Sequence, residues 1–307
     1  MKNLFILGNG FDLAHGLPTS YEDFRKYLYE EYDISSEISP GIHIETKTLL
    51  DGDEVFDEKE AVEFLVTLIS ETELNGDQWS DLENSMGKFD FEDYLEIQSS
   101  MFDLDHDKNL FRMQYIYEDN ASNYYKVVKE LKKLFFAWIK KIDTREVTVR
   151  ENFQKLIVPE RDVFLVFNYT TIVEEFYNVI DYYNIHGDQF SDEIIFGHGD
   201  EVEYYEGKYI GAADYLTDIK EELKKDTKKI IEETHFFKYL NSIERIYSYG
   251  FSFSEVDLPY IREICNQLNT GQIIWYLNKY EKNSKREEYK RKLRECGFEG
   301  EFSVFSG

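Results

Sequence analysis

Two cysteines in 307 residues, Cys265 and Cys296, are too few for a disulfide framework, and neither belongs to a C-x-x-C pair. That argues against a thiolate zinc site and leaves two thiols expected to stay reduced. Long apolar runs are missing too. The opening run Asn3–Leu7 is too short for a signal peptide or a membrane span, glycine and aspartate follow at once, and no later segment reaches membrane length. The chain is therefore expected in the cytoplasm, with no membrane partner. Positive charge is scarce: 35 Lys+Arg stand against 62 Asp+Glu, a formal charge of −27. Such a field repels nucleic acid at long range, so no direct nucleic-acid binding is expected. It leaves room for one small anionic ligand, because backbone amides can neutralise a phosphate locally. The acidity reads first as solubility; an acidic decoy of nucleic acid is the thinner alternative. Repeats, low-complexity tracts and long linkers are absent.

Hydrophobic residues make up 42% of the chain and aromatics 17%, with 24 Tyr and 24 Phe. A core built on rings and their polar tips follows. The length suits one large domain, or a core domain with a second lobe.

Asn3–Leu7 reads as a buried strand, and Thr19 to about Glu31 as a helix capped by Thr19 or Ser20. Asp51-Gly52-Asp53 marks a turn, Glu58–Glu73 has a helical pattern, and Ser80-Asp81-Leu82-Glu83 is a capping box. Asn120–Ile142 carries an apolar face at helical spacing. Strand signals are few between residues 35 and 150, which reads as a mainly helical insertion. They return at Asp162–Phe167, Tyr183–Ile185, Glu193–Phe196, Arg245–Tyr249, Gln272–Leu277 and Phe302–Phe305. Helical candidates lie between them at Thr171–Ile180, Tyr215–Thr234, Pro259–Leu268 and Ser284–Cys296. The alternation predicts an α/β protein: a Rossmann-like, mostly parallel sheet with crossover helices and a large helical insertion.

Three strand ends share a pattern. Leu4–Leu7 runs into Gly8-Asn9-Gly10 and a capped helix. Val163–Phe167 runs into Asn168-Tyr169-Thr170-Thr171, with Thr171 and Glu174 as a capping box. Arg245–Tyr249 runs into Gly250-Phe251-Ser252, with Ser252 and Glu255 as another. In a parallel sheet all three turns lie at the carboxyl edge, where open α/β sheets bind ligands. Each feature alone is more often a turn or a cap; their coincidence points to a site.

His186-Gly187-Asp188 and His198-Gly199-Asp200 repeat one tripeptide. It reads as metal ligands, as a general base, or as two turns whose histidines bond backbone groups. For His198 the turn is favoured. His15 lines a pocket or closes a turn.

The run Gly8-Asn9-Gly10-Phe11-Asp12-Leu13-Ala14-His15-Gly16-Leu17-Pro18-Thr19-Ser20-Tyr21 strongly resembles the opening of the bacteriophage abortive-infection AbiH family. Later segments fit in order: Trp79 with Asp81-Leu82-Glu83, Phe167-Asn168-Tyr169-Thr170, Ile185-His186-Gly187, Phe196-Gly197-His198-Gly199, and Gly250 through Asp257. That family in turn resembles the sirtuin-like NAD-binding fold. The first loop and Gly16-Leu17-Pro18 stand where sirtuin-like proteins carry G-A-G-x-S and G-x-P, and Asn168, His186-Gly187 and Gly250-Phe251-Ser252 match later elements. The resemblance implies a sirtuin-like core in residues 1–34 and 151–307. Asn168 and His186 would be catalytic. Gly8, Asn9, Gly10, Asp12, His15, Gly16, Pro18, Thr19, Gly250, Ser252 and Asp257 would bind the nucleotide.

Asn168 would orient the ribose and a water, and His186 would take a proton; Gly8 and Gly10 would let backbone approach the pyrophosphate. Asp12 departs from the serine of the sirtuin-like loop, Asn9 from its alanine, and Tyr169-Thr170 stands where Tyr-Asp is common. The cysteines cannot supply a sirtuin zinc module, so no metal and no protein deacetylation are expected. The leading reading is an NAD glycohydrolase of phage defence. A non-catalytic nucleotide sensor and a metal-dependent phosphohydrolase are the alternatives. A homo-oligomer or a second defence protein is the partner such an effector implies.

Overall fold

The apolar run at the start of the chain forms β1 (Lys2–Leu7), buried from Asn3 onward, as a strand covered on both faces must be. The computed structural model describes residues 2–34, 44, 46–48, 54–74, 82–89, 91–100, 110–199, 209 and 211–307. After β1 come the short helix α1 (Asn9–Ala14), α2 (Tyr21–Glu31) and an antiparallel strand pair, β2 (Thr46–Thr48) and β3 (Glu54–Phe56). Helices follow: α3 (Glu58–Leu74), α4 (Leu82–Met86), α5 (Phe91–Ser100), α6 (Leu110–Lys141) and α7 (Glu151–Leu156). The rest alternates: β4 (Val163–Val166), α8 (Ile172–Tyr177), β5 (Asp181–Asn184), α9 (Ala213–Leu223), α10 (Thr227–Glu233), β6 (Ile243–Tyr249), α11 (Leu258–Gln267), β7 (Ile274–Asn278), α12 (Asn283–Glu295) and β8 (Glu301–Phe305).

Six strands form one all-parallel sheet in the order β5-β4-β1-β6-β7-β8. From β1 the chain winds outward through β4 and β5. It then crosses back to β6 on the other side of β1 and winds outward again. This is the doubly wound Rossmann order, with its switch point between β1 and β6. The expected α/β class with helices inserted between strands is what the chain adopts.

The chain divides into two compact units, Met1–Ser20 with Phe136–Ile195 and Asp226–Gly307, and Tyr21–Phe135 with Phe196–Lys225. The first unit holds the parallel sheet. One face of that sheet packs Leu4, Ile6, Leu165, Ile246 and Trp275 against Leu258, Ile261, Ile264 and Leu293 of the crossover helices. The other face carries a ladder of stacked rings. Phe164, Phe5, Tyr247 and Tyr276 sit in register across β4, β1, β6 and β7, with centroid spacings of 4.9, 4.8 and 4.5 Å. Four of the chain's aromatic rings are used here: flat rings cover neighbouring strands, and each stacked pair adds about 1 kcal/mol to its area burial. The second unit is built mainly of helices. Phe135 stacks on Phe196 at 4.0 Å and Phe64 on Tyr124 at 5.0 Å in its core.

Several local expectations differ from the structure. Glu193–Phe196 is not a strand; its one ladder-like bond runs from Ile195 N–H to the His186 carbonyl. The helix expected over Tyr215–Thr234 is two helices, broken at Lys224 to Asp226. Asp226 caps the second by accepting from Lys229 N–H at 3.0 Å. Thr171 does not cap α8 with its hydroxyl, which instead donates to Glu175 at 2.8 Å. Ser252 starts no helix: a 3₁₀ turn begins at Glu255. The stretch expected to be mainly helical contains the β2–β3 pair as well as helices. Asp51 to Asp53, Trp79, Ser80 and Asp81 lie outside the described residues.

Candidate functional site

The order β4-β1-β6 sets three turns side by side at the carboxyl edge. The turns after β1 and β6 touch backbone to backbone. Gly8 N–H donates to the Tyr249 carbonyl at 3.0 Å, and Gly10 N–H to the Gly250 carbonyl at 2.9 Å. A Cβ on Gly8 would stand 2.6 Å from the Gly250 oxygen, and one on Gly250 would stand 2.3 Å from the Gly10 carbonyl carbon. Gly250 also needs its φ of +63°. The backbone that these glycines admit is the chain's own.

One turn into α1, the Asp12 side chain is buried and reaches the turn after β4. Its Oδ1 accepts a hydrogen bond from Asn168 Nδ2, and its Oδ2 accepts one from Thr170 Oγ1 at 2.8 Å. Burial pushes the carboxyl up from 3.8 to about 7, and the bonds from Thr170 and Asn168 hold it partly back. Asn168 is itself buried, and among the described residues its Oδ1 has no hydrogen-bond partner. A buried acceptor without a protein partner calls for a water or a ligand donor.

His186 follows β5 and is 2% exposed. Its Nε2 lies 3.9 Å from Oδ1 of Asp257, which the 3₁₀ turn after β6 supplies. The rings of Phe167, Tyr169 and Tyr260 surround the imidazole. Tyr169 also ties down the segment after His186: its carbonyl accepts from Gln189 N–H and its hydroxyl donates to the Ile195 carbonyl, both at 2.8 Å.

Other expected residues serve the same edge in different ways. Asn9 Nδ2 donates to the Thr19 carbonyl at 2.6 Å, pinning the loop after α1 to the glycine turn. Gly16, at φ +81°, ends α1. Its N–H bonds the Leu13 carbonyl and Leu17 N–H bonds the Asp12 carbonyl, the paired bonds of a glycine-terminated helix. Pro18 and Ser252 are exposed; Thr19 is buried, with no partner for its hydroxyl among the described residues. His15 bonds away from Asn168, to the Phe11 carbonyl at 2.7 Å and to the Tyr177 hydroxyl at 2.6 Å. Burial holds its imidazole below its usual range, and the charge of Arg150 lowers it further. With Arg150, Thr148 and Asn152 it lines a separate cavity of about 320 Å³.

The His-Gly-Asp tripeptides are not equivalent. Asp188 closes its own turn, accepting from Phe190 N–H at 2.9 Å and from Asn184 at 3.1 Å. His198 belongs to the second unit, where its ring meets the Lys220 carbonyl at 3.1 Å, as the turn reading expects. Asp200 lies outside the described residues. Among the described residues no group of three or more His, Cys, Asp and Glu side chains is placed to hold a metal ion. No described helix is long and apolar enough to cross a membrane.

Thr170, Tyr169 and Phe253 carry no functional signal of their own in the sequence. Thr170 stands two residues after Asn168, a spacing that carries both side chains to Asp12. Phe253 holds a left-handed φ of +54° in the turn after β6, a conformation costing about 1 kcal/mol for a non-glycine residue. It is fully buried against Trp275 and Tyr289, and Lys292 Nζ donates to its carbonyl at 2.8 Å.

A family model described as bacteriophage abortive infection AbiH matches residues 4–279, from β1 through β7. Compared with curated proteins and with solved structures, the chain shows no match. The matched span contains Asp12, Asn168, Thr170, His186 and Asp257. Matched over most of its length, the chain belongs to the bacteriophage abortive infection AbiH family, and with it to phage defence by abortive infection.

Proposed function

We propose that the chain hydrolyses NAD at the carboxyl edge of its parallel sheet, as the effector step of abortive infection. One observation supports this most: Asn168 and His186, drawn from two strand ends, are both buried and each sits beside a carboxylate from a third or fourth strand end. The Rossmann order and the resemblance to sirtuin-like proteins support the nucleotide.

In the reaction the bond from ribose C1′ to the nicotinamide nitrogen breaks, and its electron pair leaves with nicotinamide. A water oxygen bonds to C1′ and loses one proton, giving ADP-ribose. Asn168 Oδ1, a buried acceptor, orients a ribose hydroxyl or that water. His186 takes the proton, and Asp257 steadies the imidazolium that forms. The Phe167, Tyr169 and Tyr260 rings limit water around the imidazole.

The test is to titrate the purified protein with NAD by calorimetry and to chromatograph the recovered ligand, alone and with extract of phage-infected cells. Release of nicotinamide by wild type, and not by Asn168→Ala, supports hydrolysis. Saturable binding with NAD recovered intact in both conditions would replace it with a sensor.

A further inference from the structure

We infer that Asp12 and Thr170 are positioning residues that lock the Asn168 side-chain amide with its oxygen, and not its nitrogen, left for the reactants. This rests on the reading that Asn168 contacts ligand, while the hydrogen bonds that carry it lie within the chain itself.

An asparagine amide can present either end. A donor facing it would take the oxygen, and an acceptor takes the nitrogen. Here the facing group is a buried carboxylate, so Asn168 Nδ2 is drawn to Asp12 Oδ1. Thr170, from the same turn, donates to the other carboxylate oxygen at 2.8 Å. Each oxygen of Asp12 thus holds one donor from the β4–α8 turn, and the carboxylate is used inside the protein. Asp12 is 1% exposed. With both oxygens so engaged, the Asp12 side chain does not need to meet a phosphate, although it lies in the loop where a phosphate contact is expected. What remains for a ligand is Asn168 Oδ1, an acceptor 3% exposed in its residue and without a hydrogen-bond partner among the described residues. An acceptor selects a donor. The ligand group at Asn168 is therefore a hydroxyl or a water, and an unprotonated phosphate oxygen is disfavoured there.

The pairing also explains a residue choice. A carboxylate accepts from both Asn168 and Thr170. A neutral amide at position 12 has one acceptor, but the Thr170 hydroxyl can turn round and accept instead. Asp12→Asn should therefore keep the Asn168 orientation, whereas Asp12→Ala should release it.

Side-chain amide NMR of the full chain tests this without any activity. The Asn168 signals are identified by their loss in Asn168→Asp. At pH 8, above the value of about 7 at which the Asp12 carboxyl ionises, one Nδ2 proton of the wild type should exchange with solvent slowly. In Asp12→Ala it should exchange about tenfold faster or more, the loss expected for one hydrogen bond to a charged acceptor. Asp12→Asn should retain most of the protection. Unchanged exchange in Asp12→Ala overturns the inference. If that variant fails to fold, Thr170→Val decides. It removes the donor that lowers the Asp12 carboxyl, so the pH midpoint of the Asn168 amide shift should rise; a midpoint that does not move, or an amide that does not sense pH, overturns it. A second readout uses NAD. As a positioning residue, Asp12→Ala should lower kcat far more than it raises KM, and Asp12→Asn should recover part of kcat. If wild type releases no nicotinamide, the hydrolysis reading fails while the amide measurement still decides this one.

Discussion

A Cβ placed on Gly10 would stand 2.6 Å from the Cα of Gly250, with backbone on both sides and no flexible side chain to yield. The turns after β1 and β6 are thereby joined across the switch point of the sheet. Gly10→Ala should force these turns apart and cost on the order of 3 kcal/mol, with Gly8→Ala similar. Urea denaturation checks this; a loss below about 1 kcal/mol would mean that the contact yields.

Asp12 should make stability fall with rising pH. Its carboxyl is near 3.8 unfolded and about 7 folded. Between those values the folded state keeps a proton that the unfolded state has released, so stability declines across the window and the cost is complete above pH 7. The full span is worth about 4 kcal/mol as a ceiling. Asp12→Asn should remove the decline and gain on the order of 2 kcal/mol at pH 8 relative to pH 4. Denaturation midpoints of both proteins at the two pH values measure it.

His186 and Asp257 should differ in severity. Removing the proton acceptor by His186→Ala should lower NAD cleavage about 100-fold or more. Asp257→Asn keeps the imidazole and removes only the charge 3.9 Å from it, so the loss should be smaller. Equal loss of folding in both, seen by near-ultraviolet circular dichroism, would reduce the pair to a structural contact.

Tyr169→Phe deletes the hydrogen bond from the Tyr169 hydroxyl to the Ile195 carbonyl. The global cost should be about 1 kcal/mol. The local effect should be larger: the Ile195 amide, bonded to the His186 carbonyl, should exchange with deuterium faster. No change at Ile195 would show that the segment does not depend on Tyr169.

The six strands of the parallel sheet and the three aligned turns were legible because local patterns encode them, whereas the expected strand at Glu193–Phe196 did not form and the β2–β3 pair gave no such signal. The partners at the carboxyl edge were not legible. Asp12 and Asn168 lie 156 residues apart, and nothing local announces their bond. The glycine loop read as a phosphate cradle because sequence cannot tell which backbone approaches it, and Gly250 is that backbone. The helix expected across Tyr215–Thr234 contains no glycine or proline to break it. It breaks because tertiary contacts override propensity: Lys225 is buried against Glu83 at 3.1 Å and its N–H bonds the His198 carbonyl. Gly16 looked like part of a ligand loop, and its pattern was equally that of a helix end.

The most direct test of hydrolysis at this edge is the NAD and nicotinamide content of phage-infected cells, measured by mass spectrometry. The cells would carry wild type, Asn168→Ala or His186→Ala at equal protein levels. NAD should fall and nicotinamide rise with wild type alone, and both variants should lose defence. Undiminished NAD in cells that wild type protects, with both variants still protecting, would contradict it.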